Sequence, residues 1–479
     1  MDCLLGIDIG TTGAKSALFT AEGGLIDSEY IPYPLIYPRE GWVEQDPDDW
    51  WNALTGTVRP LVSRNRAASA VRALSLSTQG GCLLLLDEYF RPLGKAVSWL
   101  DHRASETAPL LEESISTEDV YRTCGWSTMS GLNFPTAFWF RHKEPDLFNR
   151  AHYFASTADY LNYRLTGKFF IDYSNLALTE FLDIARKDWS DSALAIAGIP
   201  RERVAEIVPS GRVIGKLQRD IADELGLPGS ALLVSGAHDQ YCANIGAGAV
   251  DTGDCVLSAG TAWVLTVTAD RPVFDDKHII HPCIHVLEGR YGLMTSVPSG
   301  GNSLNWFRST FYPEAGFDEL GRAAEDAPAG CDGLLFIPQN MSLTGKGSFL
   351  GIDTVHGRGH FVRSIMEGVA LSNRRHLETL RKNGVPVNRI IMIGGGAKSV
   401  VWPQIVADAA NIPLTVNEQT EAACIGAAML AGVGCGLFAT IRGACTHFLL
   451  QHYRILPDER SAAVYDRMYG DFVKYCEAN

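Results

Sequence analysis

The stretch Leu4-Leu-Gly-Ile-Asp-Ile-Gly-Thr-Thr-Gly-Ala-Lys15 decides the reading of the fold. An apolar run carries one carboxylate, Asp8, breaks at Gly10-Thr-Thr-Gly13, and resumes from Ser16 to Thr20, which is the pattern of a β-hairpin. Glycines let such a turn bend with positive φ and aim successive N–H groups at one oxygen-rich ligand, while Thr11 and Thr12 add hydroxyls. The turn is suited to phosphate, with Asp8 on the preceding strand facing a phosphate-bound metal ion. A plain tight turn in a sheet has the same sequence, so the hairpin alone leaves both open.

Two further stretches extend the pattern. Asp254-Cys-Val-Leu-Ser-Ala-Gly-Thr-Ala-Trp-Val-Leu-Thr-Val267 repeats strand, Gly-Thr turn and strand, so Gly10-Thr11 and Gly260-Thr261 would lie on two similar domains facing one another. A strand Arg389 to Ile393 runs into Gly394-Gly-Gly-Ala-Lys-Ser399 and then a helix through Ala410. Three glycines at a strand-to-helix turn let a flat or charged ligand approach the backbone. They fit neither the dinucleotide Gly-x-Gly-x-x-Gly pattern nor the Walker loop, since Gly345-Lys346 is followed by another glycine.

The chain of 479 residues is long enough for two domains, expected at 1–247 and 248–479. Hydrophobic residues make up 46% and charged residues 20%, an ordinary globular balance. A net charge of −14 with no dense Lys/Arg run argues against nucleic acid or an anionic membrane and for a small-molecule partner. Eleven scattered cysteines without a Cys-x-x-Cys pair fit reduced thiols. With no signal peptide and no apolar run of membrane length, a cytoplasmic location is expected.

Between the hairpins, Asp46-Pro47-Asp48-Asp49 predicts a helix through about Val62, followed by strands Val71 to Ser77 and Leu83 to Asp87. Mixed strands and helices suggest an α/β sheet with helices packed on it. Gln79, Trp99, Asp101 and Arg103 fall at strand ends or loops, where they offer an apolar ring face and paired donors and acceptors to a polyhydroxylated ligand. The alternative is a surface Asp101–Arg103 ion pair beside a core tryptophan. Residues 104 to 230 read as helical decoration without chemistry, including a helix that ends at Gly167 and turn and strand signals from Tyr173 to Leu182.

Ala231 to Gly236 reads as a buried strand with Asp239 just past its end, placed to act as general base on a substrate hydroxyl. His238 beside it is expected on the opposite face of an extended segment, in a packing role. His278, His281, Cys283 and His285 are spaced like metal ligands, but no second cluster completes a tetrahedral set, so a structural role is expected. Gly300-Gly-Asn302 enters a helix, a helix carries Phe361, Ile365 and Val369 on one core-facing stripe, and Glu421 to Leu430 is a helix of small residues suited to close packing.

Together these residues resemble the FGGY family of carbohydrate kinases, within the actin, hexokinase and heat-shock ATPase superfamily. Gly6-Ile-Asp-Ile-Gly-Thr-Thr12 resembles its first phosphate motif, Ser258-Ala-Gly-Thr261 its second and Gly394-Gly-Gly-Ala-Lys-Ser399 its adenosine motif. Gly347 to Glu367 resembles the family's C-terminal signature, and Gly236-Ala-His-Asp239 the segment bearing its catalytic aspartate. The resemblance implies two ribonuclease-H-like domains, sugar mostly on the first and ATP mostly on the second, with both ligands in an interdomain cleft.

It further implies Asp239 as catalytic base and Asp8 as the organiser of Mg²⁺. Gly10, Thr11, Thr12, Lys15, Gly260, Thr261, Gly395, Gly396, Ala397 and Ser399 would bind ATP. Gln79, Gly80, Trp99, Asp101, Arg103, Asp239 and Gln240 would bind the sugar. Glycerol kinases carry Arg-Glu after the glutamine and xylulokinases Gln-Met-His-Gly, whereas Gly80-Gly81 follow Gln79 here and are expected to leave space. A ketopentose such as xylulose or a related polyol is the expected substrate, with gluconate, erythritol or a modified sugar as the alternative. A superfamily ATPase or a sugar sensor without kinase activity is the rival of a different class, and a homodimer the alternative to a monomer.

Overall fold

The computed structural model describes residues 2–339, 341, 345–417, 421–448 and 452–478. The chain forms two compact units interleaved in sequence, where the motifs suggest one cut after residue 247. The first comprises Met1–Val250, Asp270–Gly292 and Glu421–Leu449, and the second Asp251–Ala269, Leu293–Thr420 and Leu450–Asn479.

The first unit is built on a six-stranded sheet in the order Val213–Lys216, Leu232–His238, Val71–Thr78, Cys3–Ile9, Gly13–Thr20, Leu25–Pro32. Cys3–Ile9 pairs antiparallel with Gly13–Thr20, as the hairpin pattern predicts, and parallel with Val71–Thr78, which in turn is parallel to Leu232–His238. The register places Ile9 beside Thr78 and Thr78 beside His238, so three parallel strands end together. Loops leaving the carboxyl ends of parallel strands converge, and these three lead directly into Gly10, Gln79 and Asp239.

Two glycines allow the sheet to be covered closely. A Cβ at Gly6 would stand 1.9 Å from the Cys424 carbonyl oxygen, and one at Gly426 would stand 2.0 Å from that of Cys242. Helix Ala422–Gly434, drawn from far along the chain, thereby lies flat on strand Cys3–Ile9 and against helix Asp239–Gly246. The helix at Pro47–Arg64 starts as predicted, with the Asp46 side chain accepting from the Asp48 N–H.

The region read as decoration contributes more than helices. Val213–Lys216 is an edge strand of the sheet, and Tyr173–Ala177 is a short helix rather than turn and strand. The helix ending at Gly167 has a capping box between Ser156 and Asp159, and Gly167 adopts φ 74°.

The second unit repeats the central arrangement. Asp254–Ala259 pairs antiparallel with Trp263–Ala269 and parallel with Arg389–Ile393, which continues to Leu414–Asn417 and His452–Ile455. Helix Arg358–Lys382 is mainly core: Ile365 and Val369 are fully buried, and Glu367 is held inside by Arg363, Tyr465 and the Gly330 N–H. None of the eleven cysteines is in a disulfide. Among the described residues no helix is long and apolar enough to cross a membrane.

Candidate active site

At the ends of the first unit's parallel strands the register sets Asp8 beside Ser77, and the Ser77 hydroxyl donates to Asp8 Oδ1 at 2.6 Å. Burial, and then the nearby Asp239 carboxylate, raise the Asp8 pKa from 3.8 to about 7. The two expected acids are therefore neighbours, in surroundings short of positive charge. Asp239 is the first residue of helix Asp239–Gly246, where the helix dipole favours a carboxylate. Its Oδ1 is buried and accepts no hydrogen bond.

The hairpin turn is tied back through its carbonyl groups. Gly13 O accepts from the Gly10 N–H at 2.9 Å, Thr12 O from the Tyr33 N–H at 3.0 Å, Gly10 O from the Tyr33 hydroxyl, and Thr11 O from Gln45 Nε2 at 2.6 Å. Acceptors that would repel an anion are occupied from within the unit. The N–H groups of Thr11 and Thr12 and the Thr12 hydroxyl are left for one, while the Thr11 hydroxyl accepts from Trp99 Nε1 at 3.1 Å.

The same Gln45 reaches the Gln79 loop, since Gln79 Nε2 donates to Gln45 Oε1 at 2.8 Å. Gln45, buried in the core, was invisible as a site residue because its sequence signal is that of a position preceding a helix cap. Ser174, Asn175 and Asp172, in the stretch assigned no chemistry, fix the strand ends. Ser174 Oγ accepts from the His238 N–H at 2.9 Å, Asn175 Oδ1 from the Thr78 hydroxyl at 3.0 Å, and Asp172 holds both partners.

Several expected sugar ligands are placed differently. Asp101 is fully buried and closed on Arg103, accepting from its Nε at 3.0 Å and Nη2 at 2.9 Å and from the Val43 N–H at 2.6 Å. Arg103 also reaches Glu44 at 2.8 Å and lies on the Trp42 ring. Their mutual pairing makes them a buried brace, neither a free ligand pair nor a surface ion pair. Trp99 is 38% exposed and so is not core.

Gly80-Gly81 do not leave empty space. A Cβ on Gly80 would meet Leu178 Cβ at 2.7 Å and His238 Cδ2 at 3.0 Å, and one on Gly81 would meet Leu132 Cδ2 at 2.4 Å. Lys15 is paired with Glu421 at 3.0 Å. Gln240 follows Asp239 on its helix and is partly exposed.

His238 Nε2 stands 3.3 Å from Asp239 Oδ1. The two were expected on opposite faces, but the chain turns into a helix at Asp239, so consecutive side chains no longer alternate. Of the spaced histidines, His278 is partly exposed and lies 2.6 Å from Glu118, and the other two pack against neighbours within the unit. His281 stacks on Trp126 at 4.4 Å with its pKa lowered to about 4, and His285 bonds Asn244 at 3.0 Å with its pKa lowered to about 3, in both cases by burial.

In the second unit a cavity of about 590 Å³ is lined by Gly260, Thr261, Gly395, Gly396 and Ser399, together with Asn302, Asn305, Phe317 and Trp402, none of which was expected as a site residue. Ala397 is buried and does not line it. Helix Gly300–Phe311 begins directly on the turn: Thr261 O accepts from the Asn302 N–H at 2.9 Å, and a Cβ at Gly301 would stand 2.2 Å from Gly260 O. A helix N-terminus so close to a Gly-Thr turn is suited to anions, and the aromatic rings to a flat heterocycle.

A mixed-sheet unit with paired carboxylates at its strand ends, and a second with a cavity suited to a heterocycle beside a Gly-Thr turn, define a nucleotide-dependent phosphotransferase of ribonuclease-H-like fold. Residues 3–246 match the N-terminal domain and residues 255–435 the C-terminal domain of the FGGY family of carbohydrate kinases. The chain belongs to that family and is an ATP-dependent carbohydrate kinase, transferring phosphate to a sugar or polyol hydroxyl.

It is 30% identical to a xylulose kinase of Bacillus subtilis (strain 168) over 98% of this chain and 95% of that protein. It is 28% identical to a gluconokinase of the same organism over 98% and 94%. The crystal structure of a xylulose kinase from Rhodospirillum rubrum superposes with a TM-score of 0.90 at 28% identity, covering 98% of each chain.

Proposed function

We propose that this kinase phosphorylates xylulose, with Asp239 as the base that takes the proton of the attacking hydroxyl as that oxygen bonds to the γ-phosphorus and ADP departs. The similarity to the B. subtilis xylulose kinase along almost the whole chain carries the choice of sugar. The related gluconokinase makes gluconate the second reading. Charge favours the first, because gluconate is an anion. Of the expected site residues in the first unit, Lys15 is paired with Glu421 and Arg103 with Asp101 and Glu44, so neither cation is left to meet a carboxylate.

Phosphoryl transfer has a loose transition state, and the protein's work is alignment and charge neutralisation. The Thr11 and Thr12 N–H groups and the Thr261 turn are assigned to phosphate oxygens, and the cavity at Gly395, Gly396 and Ser399 to adenosine. Mg²⁺ fits at Asp8: a hard cation prefers oxygen ligands, and Asp8 and Asp239 repel one another without one. Bound there, it would neutralise charge on the phosphates. Trp99 offers an apolar face to the sugar, and Gln79, fixed by Gln45, stands at the same strand ends.

ADP release measured with xylulose, gluconate, glycerol and no sugar tests the proposal. ADP and a phosphorylated product that depend on xylulose are expected. Turnover with gluconate alone would transfer the assignment to the second reading, and sugar-independent hydrolysis would overturn both.

A further inference from the structure

His238 is 7% exposed, and its ring lies 3.0 Å from where a Cβ at position 80 would stand, beside Leu178 at 2.7 Å. The imidazole is thus lodged between the Gln79-Gly80 loop and the base. Its Nε2 faces Asp239 Oδ1 at 3.3 Å, and both Asp239 Oδ1 and His238 Nδ1 are buried without a hydrogen-bond partner. Its backbone is anchored by the Ser174 hydroxyl, so the ring has little freedom to leave.

Asp239 needs such a partner. Its Oδ1 accepts no hydrogen bond, and the Asp8 carboxylate repels it. An unrestrained carboxylate would swing away from the position where one oxygen meets the substrate hydroxyl, and misplacement by about 1 Å can cost about 10²-fold in rate.

We propose that His238 is a positioning residue for phosphoryl transfer: its Nε2–H, 3.3 Å away and brought into line by a small rotation of the ring, holds the inner oxygen of Asp239, so that the outer oxygen is presented to the attacking hydroxyl. Glycine at position 80 leaves room for both the ring and Leu178. This rests on the reading of Asp239 as the base.

Two variants of the full-length protein separate orientation from packing. His238→Phe keeps a ring of similar volume but no donor, whereas His238→Gln keeps an N–H donor in a different shape. With the sugar that gives ADP, kcat of His238→Phe is expected to fall about 10²-fold while KM for ATP and the melting temperature stay near wild type. His238→Gln is expected to retain most of the rate. A phenylalanine variant as active as the glutamine variant, or more so, overturns the proposal, because packing alone predicts that order.

A crystal structure of His238→Phe decides the same question without turnover. The Asp239 carboxylate is expected in a different rotamer, and an unmoved carboxylate overturns the proposal. Should the wild-type protein release no sugar-dependent ADP, the proposed function fails, while this structural comparison still decides the role of His238.

Discussion

Asp239 and Asp8 stand at the ends of parallel strands, and the proposed function gives them different work. Asp239→Asn keeps the shape but cannot accept a proton, so sugar phosphorylation is expected to fall by about 10²- to 10⁴-fold, with ATP affinity unchanged in a direct binding titration. The Asp8 pKa is raised from 3.8 to about 7 by burial and by Asp239. Between those values the unfolded chain gives up this proton before the folded one does, so the contribution of Asp8 to stability is lost as pH rises from about 4 to about 7. The gap corresponds to up to about 4 kcal/mol. Asp8→Asn is therefore expected to melt higher than wild type at pH 8 without Mg²⁺, and at nearly the same temperature at pH 4; a lower melting temperature at pH 8 would refute the electrostatic account. Both aspartates were legible in the sequence because a lone carboxylate closing an apolar strand is a conspicuous pattern. His238 was misread for a local reason: the period-two rule fails where a strand becomes a helix within one residue.

The hairpin Cys3–Ile9 to Gly13–Thr20 was equally legible, because its alternation and turn chemistry are local. What fixes its turn was not, since Gln45 acts across 34 positions and Tyr33 across 23. Gln45→Leu removes the donor to Thr11 O and the acceptor of Gln79 Nε2, leaving buried polar groups unpaired. An unsatisfied buried group costs about 1–3 kcal/mol, so a matching fall in stability by urea titration is expected, together with a raised KM for ATP as the turn loosens. An unchanged KM would show that the turn holds its shape without Gln45. Close packing of helices makes a second demand on single residues. Gly426→Ala would press a methyl group to 2.0 Å from the Cys242 carbonyl, on the helix that begins with Asp239. Overpacking costs about 1–3 kcal/mol or more, so a lower urea midpoint is expected, with loss of activity in excess of loss of folded protein. The small-residue run after Glu421 announced tight packing, but nothing local said against which strand.

The chain crosses between its units five times, and this interleaving governs how it can be divided. Family motifs identify the two halves, yet the helix that covers the first unit's central strands lies at Ala422–Gly434, beyond most of the second unit. Within it Ile425, Met429 and Leu430 are almost completely buried. At about 1.5–3 kcal/mol for each such side chain, their burial is worth on the order of 5–9 kcal/mol. That is comparable to the whole stability of a typical domain, about 5–15 kcal/mol. A fragment of residues 1–250 would leave strand Cys3–Ile9 uncovered opposite Gly6 and helix Asp239–Gly246 without its partner. The fragment is expected to keep helical circular dichroism, bind a hydrophobic dye and lose its cooperative thermal transition, which are the marks of secondary structure without fixed packing. Joining residues 270–292 and 421–448 to its end through flexible linkers should restore the transition. A bare 1–250 fragment that melts as sharply as the full chain would mean that the first unit's sheet is stable with its central face open, and that Ala422–Gly434 secures the catalytic helix alone.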